Sequence, residues 1–140
     1  MDYELIFSVA GLLAMLGWLL LLASPFMPKW SDRLAGLVIP LGLSIGYCTL
    51  IIIAPPESGG FGSLAEVAEL FSEPQALLAG WIHFLAFDLF VGAWICRKAR
   101  SERISFWFVL PCLPITFLLG PAGFLAFSIV RSGRSLLKNA

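Results

Sequence analysis

Charged side chains are scarce in this sequence. Only 13% of its 140 residues are Asp, Glu, Lys or Arg, and 59% are hydrophobic, whereas soluble proteins contain about 25% charged and about 45–50% apolar residues. The formal net charge is zero, so there is no basic surplus of the kind that binds nucleic acid. The composition predicts an integral membrane protein, and the length predicts one domain, residues 1–140.

Residues that build common metal and nucleophilic sites are also few. His83 is the only histidine, which excludes the histidine-box di-iron desaturases and hydroxylases, because those sites need many histidines. The cysteines lack C-x-x-C spacing, and there is no G-x-S-x-G motif or phosphate-binding loop. We therefore predict no metal site and no cofactor, and we interpret the cysteines as small apolar residues of the interior, at positions Cys48, Cys96 and Cys112.

Long apolar segments are abundant. A helix that crosses a bilayer needs roughly 20 apolar residues, and four segments qualify: residues 5–24, 34–54, 76–96 and 104–130. The predicted fold class is all-α, an integral membrane bundle of four transmembrane helices. Asp2 and Glu4 precede the first segment, where a cleavable signal peptide carries positive charge, so we expect this segment to be retained as a span.

The loop between the second and third spans predicts a short amphipathic helix. Ser63 followed by Glu66 is a capping-box pattern, and the turn-rich "PPESGGFG" before it is typical of a hinge. We interpret this helix as a lid over the bundle. Its acidic face is formed by Glu66, Glu69 and Glu73, which we expect to be solvated; a bound cation is the less favoured alternative.

Basic residues in short loops predict the orientation. The loops after the first and third spans are basic and would lie on one side, which the rule assigns to the cytoplasm. With four spans, a basic tail carrying Arg131, Arg134 and Lys138 would lie on the opposite side, together with both termini. The tail therefore argues against the assignment that the loops favour.

Three prolines interrupt the fourth predicted span. Pro111, Pro114 and Pro121 each remove a backbone donor and free a carbonyl one turn earlier, and inside a membrane such carbonyls need partners. Gly120 beside Pro121 predicts a kink at that point. Two interpretations are equally supported: a helix bent for packing, or a widened pocket with backbone acceptors on its wall.

Two polar residues lie within the third predicted span, "AGWIHFLAFDLFVGAWICRKAR". An acid at this depth costs several kcal/mol, and apolar surroundings favour its neutral form, so Asp88 is a candidate proton donor. His83 lies about 140° around the helix from Asp88; the two could still flank one cavity. The alternative is a structural Asp88 that bonds to Ser44, Tyr47, Thr49 or Thr116. The predicted lining of a site for an apolar ligand is Trp81, Phe84, Phe87, Tyr47, Trp107 and Thr116.

At "WIHFLAFDLF" the chain resembles the small four-span proteins named for the plant abscisic-acid-deficiency neoxanthin synthase. The matching residues are Trp81–His83, Asp88–Phe90, Pro111 with Cys112, and the "GPAG" of 120–123. The resemblance implies a carotenoid partner, since plant members are linked to the conversion of violaxanthin into neoxanthin. That isomerisation opens an epoxide and forms an allene, and it implies Asp88 as the acid and His83 as a base or orienting residue.

Two hypotheses about function follow. The first is a cofactor-free membrane isomerase of a carotenoid or related isoprenoid, or a mechanistically related cyclase. The second is a non-catalytic carotenoid- or lipid-binding protein, or an assembly partner of another membrane enzyme. No plastid transit peptide is visible, so we expect a multi-pass protein of a bacterial inner membrane. The expected partners are lipid, a hydrophobic small molecule, and further copies of the chain or other membrane enzymes.

Overall fold

The computed structural model describes residues 1–139; Ala140, the last residue of the predicted domain, lies outside it. Helices account for all the regular structure of the described part. Three of them are long and apolar enough to cross a membrane: α1 (Tyr3–Leu22), α2 (Pro28–Ile53) and α4 (Pro74–Ser101). The others are α3 (Leu64–Leu70), α5 (Phe106–Val109), α6 (Cys112–Leu118) and α7 (Gly120–Asn139). The prediction of an all-α membrane protein is confirmed.

Helix α4 is the centre of the bundle, and all the longer helices pack against it. Small residues of α1 let the two helices approach closely, because a Cβ at Gly17 would collide with the side chain of Leu89. Leu89 and Ile95 of α4 are completely buried. At its start, α1 is capped by Asp2, whose carboxylate accepts a hydrogen bond from the Leu5 N–H at 3.0 Å.

Helix α2 begins six residues before the predicted span, and its first part is wider than an α-helix. Residues Ser31–Val38 form a π-helical stretch, which continues as an α-helix over Ile39–Ile53. In the wide stretch, Asp32 pairs with Arg100 near the end of α4. This ion pair joins the start of α2 to the end of α4.

The fourth predicted span, 104–130, is not one continuous helix. Helices α5 and α6 run into the bundle, the chain reverses at Leu119, and α7 runs back along α6. The reversal returns Arg131 to Glu102 at the start of the segment, where the guanidinium Nε lies 2.8 Å from the carboxylate. A fourth complete crossing is therefore not confirmed, and the described fold holds three long helices and a folded-back helical hairpin.

The hairpin corrects the predicted position of the basic tail. Because the segment turns back, Arg131 and Arg134 lie beside Ser101–Ile104, at the end of the bundle that also holds the basic loops. The prediction that the tail lies on the opposite side was wrong, since it assumed a complete fourth crossing. The tail now lies with the basic loops, which is the arrangement that the positive-inside rule expects at a cytoplasmic end.

At the other end of the bundle, the predicted amphipathic helix is present as α3, and two glutamates fasten it. The Ser63 hydroxyl accepts from the Glu66 N–H, while the Glu66 carboxylate accepts from the Gly62 N–H at 3.1 Å. The Glu73 carboxylate accepts from the backbone N–H groups of Glu57 and Ser58. Two of the three glutamates therefore hold the loop, whereas all three had been predicted to be solvated. Hydrogen bonds lower the pKa of Glu73, and the bond from the Ser58 hydroxyl contributes most.

Candidate functional site

Asp88 lies at the tip of the hairpin. Asp88 is 8% exposed. Its carboxylate lies against Gly120, the first residue of α7, and so caps the positive N-terminal end of this helix. A Cβ at Gly120 would lie 2.8 Å from the Asp88 Cγ, so only glycine allows this approach. The tip thus presents a buried acid whose Oδ2 has no hydrogen-bond partner among the described residues.

The geometry of the tip follows from its sequence. Leu119 has φ −145° and ψ 67°, which ends α6, and Pro121 is tolerated in the first turn of α7 because it needs no hydrogen-bond acceptor. The N–H groups of Ala122 and Gly123 both bond to the Leu119 carbonyl, at 2.8 and 3.2 Å. The Leu119 carbonyl thus satisfies two donors of this first turn, and the Asp88 carboxylate of α4 lies at the N-terminus of α7.

Gly123 allows α6 and α7 to pack closely enough for this arrangement. A Cβ on Gly123 would lie 2.5 Å from the backbone N and Cα atoms of Thr116 in α6. The "GPAG" stretch therefore combines a turn, a proline that requires no acceptor and a glycine at the helix–helix contact. Sequence analysis identified a kink here but not its role, because the pattern does not show that the chain turns back onto α4.

His83 lies in a separate environment from Asp88. It is exposed on the face of α4 towards α2, where its ring stacks on Phe87 at 4.6 Å and meets the Tyr47 ring edge-on at 5.8 Å. A mostly apolar cavity of about 440 Å³ opens beside it, beneath the lid. The lining is formed by Tyr47, Ile51, Pro56, Phe61, Leu70, Phe71, Ala76, Ala79, Gly80 and His83. Asp88 does not line this cavity, so the described structure does not bring the two polar residues into one cavity.

The predicted lining residues are likewise dispersed. Tyr47 joins His83, but Trp81 and Phe84 stack on each other at 5.3 Å, and Trp81 also stacks on Phe7 of α1. Phe87 lines a shallower apolar groove with Phe90 and Pro40.

The remaining two predicted lining residues lie on the hairpin. Trp107 is 78% exposed, near the basic end. Thr116 is fully buried behind the tip, and its hydroxyl donates to the Cys112 carbonyl at 2.7 Å.

None of the four predicted side-chain partners hydrogen-bonds to Asp88 among the described residues. Ser44 donates to the Pro40 carbonyl at 2.8 Å and Thr116 to that of Cys112. Chemically, a protonated Asp88 could donate its proton from the unpartnered Oδ2. Among the described residues, no group of three or more His, Cys, Asp or Glu side chains could hold a metal ion.

Comparison with known proteins agrees with the resemblance stated above. The family described as ABA DEFICIENT 4-like matches residues 5–127, a range that includes α4, the lid, the hairpin tip and Asp88. No curated protein and no solved structure shows significant similarity to the chain. The family match covers most of the sequence, and the chain therefore belongs to the ABA DEFICIENT 4-like family.

Proposed function

We propose that the chain is a membrane-embedded isomerase of a carotenoid or related isoprenoid, with Asp88 as its acid. The carrying observation is the free Oδ2 of a buried carboxyl group at the tip of a folded-back helix. Intramembrane acids are costly and usually functional. Family membership supports the substrate class, because it links the chain to neoxanthin synthase-like proteins.

The proposed chemistry needs only proton transfers. Asp88 gives its proton to the epoxide oxygen as the C–O bond breaks, which leaves a hydroxyl group on the product. A proton then leaves a neighbouring carbon, and the electrons of that C–H bond form the new double bond. The substrate gains one proton and loses one, so no oxidant, reductant or cofactor enters the balance. The Asp88 carboxylate left by the first step is the base nearest to the reacting atoms.

His83 fits an orienting role better than that of a base. Its Cα lies about 7.5 Å along the helix axis from that of Asp88, and the side chains diverge by about 140°. A general base must come within about 3 Å of the proton it removes, so both groups acting on one carbon would require a large rearrangement. We propose that the cavity beside His83 holds an apolar part of the substrate under the lid, with the imidazole as its polar contact.

The hairpin gives the substrate a route to Asp88. Asp88 lines none of the cavities described above, so the tip must open at Leu119–Pro121 for a ligand to reach Oδ2. Non-helical backbone is tolerated at membrane depth only where protein or a cavity surrounds it. We therefore propose that α5, α6 and the first part of α7 lie within a bacterial inner membrane, in place of a complete fourth crossing.

A non-catalytic carotenoid- or lipid-binding protein is the second candidate. The observation that favours it is the roofed, mostly apolar cavity at His83, which contains no acid. In that case Asp88 would serve only as the cap of α7. Its position at the N-terminus of α7 is compatible with both candidates.

The test compares the wild-type chain with Asp88→Asn in a carotenoid-producing host, by chromatography with mass spectrometry. Asparagine keeps the shape of the side chain against Gly120 but cannot act as the acid, so the variant should accumulate equally and make no product. A new isomer of unchanged mass that appears only with the wild type supports the isomerase. Co-purification of unaltered pigment with both chains, without any new isomer, supports the binding protein.

A further inference from the structure

A second cleft lies at the basic end of the bundle, away from both Asp88 and His83. It has a volume of about 660 Å³ and lies where the end of α4 meets the returning helix α7. Three arginines and one glutamate give it a net charge of +2. The lining is formed by Ser101, Glu102, Arg103, Ile104, Arg131, Ser132 and Arg134.

The negative charge in this cleft is already neutralised. Glu102 accepts from Lys98 at 3.0 Å and from Arg131 at 2.8 Å, and these partners, Arg131 first, lower the pKa of Glu102 to about 2. Neither Arg103 nor Arg134 forms an ion pair with a described residue. The cleft therefore offers two uncompensated guanidinium groups, which can hold the oxygens of an anion in a planar, bidentate manner.

Arg103 has a left-handed backbone conformation that glycine would adopt with less strain. The N–H of Ile104 bonds to the Ala99 carbonyl at 2.8 Å, and the N–H of Arg103 bonds to the Arg100 carbonyl at 3.1 Å. This is the Schellman ending of a helix, whose left-handed position is usually glycine. Arg103 occupies it with φ 54°, the only positive φ of a described non-glycine residue. Strained backbone positions are frequent at ligand-binding sites, which makes the Arg103 side chain a candidate ligand contact.

Exposed aromatic rings extend from the cleft along the hairpin. The Arg134 guanidinium lies over the Phe108 ring, 5.9 Å from its centroid, and Phe108 is 52% exposed beside the still more exposed Trp107. Aromatic residues of this kind are typical of the membrane–water boundary. The ligand that matches both features has an anionic head beside the arginines and an apolar chain against the rings.

We propose that this cleft binds the phosphate headgroup of an anionic phospholipid, with Arg103 and Arg134 as the contacting residues. Basic pockets between membrane helices on the cytoplasmic side bind such headgroups in other proteins. The proposal is independent of any chemistry at Asp88. It makes a distinctive prediction about Arg103, since replacing it with glycine removes the ligand contact and also removes the backbone strain.

The test is native mass spectrometry of the full chain in detergent, titrated with phosphatidylglycerol and, as the zwitterionic reference, phosphatidylcholine. The variants are Arg103→Gly and Arg134→Gln. The matched control is Arg33→Gln, an exposed basic residue at the same end but outside the cleft. All three variants lose one positive charge, so the general electrostatic attraction to an anionic lipid falls equally. Any remaining difference in lipid affinity between the variants reports the contribution of the cleft.

The wild type and Arg33→Gln should each bind one phosphatidylglycerol in preference to phosphatidylcholine, and each cleft variant should bind it about tenfold more weakly than the control. The thermal unfolding temperature of Arg103→Gly should equal or exceed that of the wild type. Equal affinity of the cleft variants and Arg33→Gln would overturn the proposal. If millimolar inorganic phosphate displaces the lipid, and if phosphate binding also requires Arg103, the ligand of the cleft is free phosphate and the lipid proposal is overturned.

Discussion

Asp88 and His83 are five residues apart on one helix, but their surroundings differ. Asp88 is buried, caps a helix that returns from the tip of the hairpin, and lines none of the cavities described. His83 lines a cavity beneath a hydrogen-bonded lid, with aromatic rings around it. The residue suited to proton chemistry and the space suited to an apolar ligand are thus separate. This separation indicates different roles: Asp88 for chemistry at the hairpin tip, and His83 for holding the ligand.

The largest effect on this arrangement is expected from Gly123→Ala. The added Cβ would meet backbone atoms of Thr116 at 2.5 Å, and backbone cannot move aside as a flexible side chain can. We expect a loss of about 3 kcal/mol in the free energy of unfolding, and with it the cap at Asp88. Gly133→Ala is the control, because nothing lies within 4 Å of its Cβ. Unfolding in detergent measures the free energy of unfolding of both variants. Equal stability of the two would contradict the close packing of the hairpin at Gly123.

A second, smaller effect is expected at Asp88. Asp88→Ala removes the side chain that lies against Gly120 at the N-terminus of α7 and should cost about 1–2 kcal/mol in the free energy of unfolding. Asp88→Asn keeps the shape of the side chain and should cost less than about 1 kcal/mol. The same unfolding measurement applies. If alanine and asparagine destabilise equally, the packing of residue 88 against Gly120 does not hold the tip.

The smallest effect is expected at the lid. Glu73→Gln replaces a charged acceptor of hydrogen bonds from four donors with a neutral side chain, so the amides of Glu57 and Ser58 should exchange hydrogen faster. The folded pKa of Glu73 is lowered, so these bonds persist at neutral pH and are lost as the pH falls through that lowered value. Glu69→Gln, on the exposed face of α3, is the control. Unchanged exchange in Glu73→Gln would show that the lid is held by its apolar contacts alone.

The sequence predicted the parts of this structure that depend on local pattern. Apolar length predicted the three long helices, and Ser63 with Glu66 predicted α3. Apolar length also predicted a fourth crossing over 104–130. This prediction was not confirmed, because hydropathy does not show whether an apolar segment continues across the membrane or turns back. The turn at Leu119 depends on the approach of Gly120 to Asp88 of α4, a contact between residues that are distant in sequence.

The candidate site was predictable only in part, for the same reason. An acid in an apolar helix stands out, so Asp88 was identified, and so was His83 as the single histidine. Their neighbours were not, because Asp88 lies against Gly120, which is distant in sequence, and the cavity at His83 is closed by a loop. Aromatic residues near Asp88 in sequence, such as Trp81, face α1.

The most direct test of this division of roles measures bound pigment and converted pigment separately, in chains purified from a carotenoid-producing host. Asp88→Asn should retain pigment at the wild-type ratio per chain and convert none of it. His83→Ala should retain less pigment but convert what it binds. Conversion by Asp88→Asn, or full pigment occupancy without conversion in His83→Ala, would contradict the assignment of chemistry to the hairpin tip and of binding to the cavity.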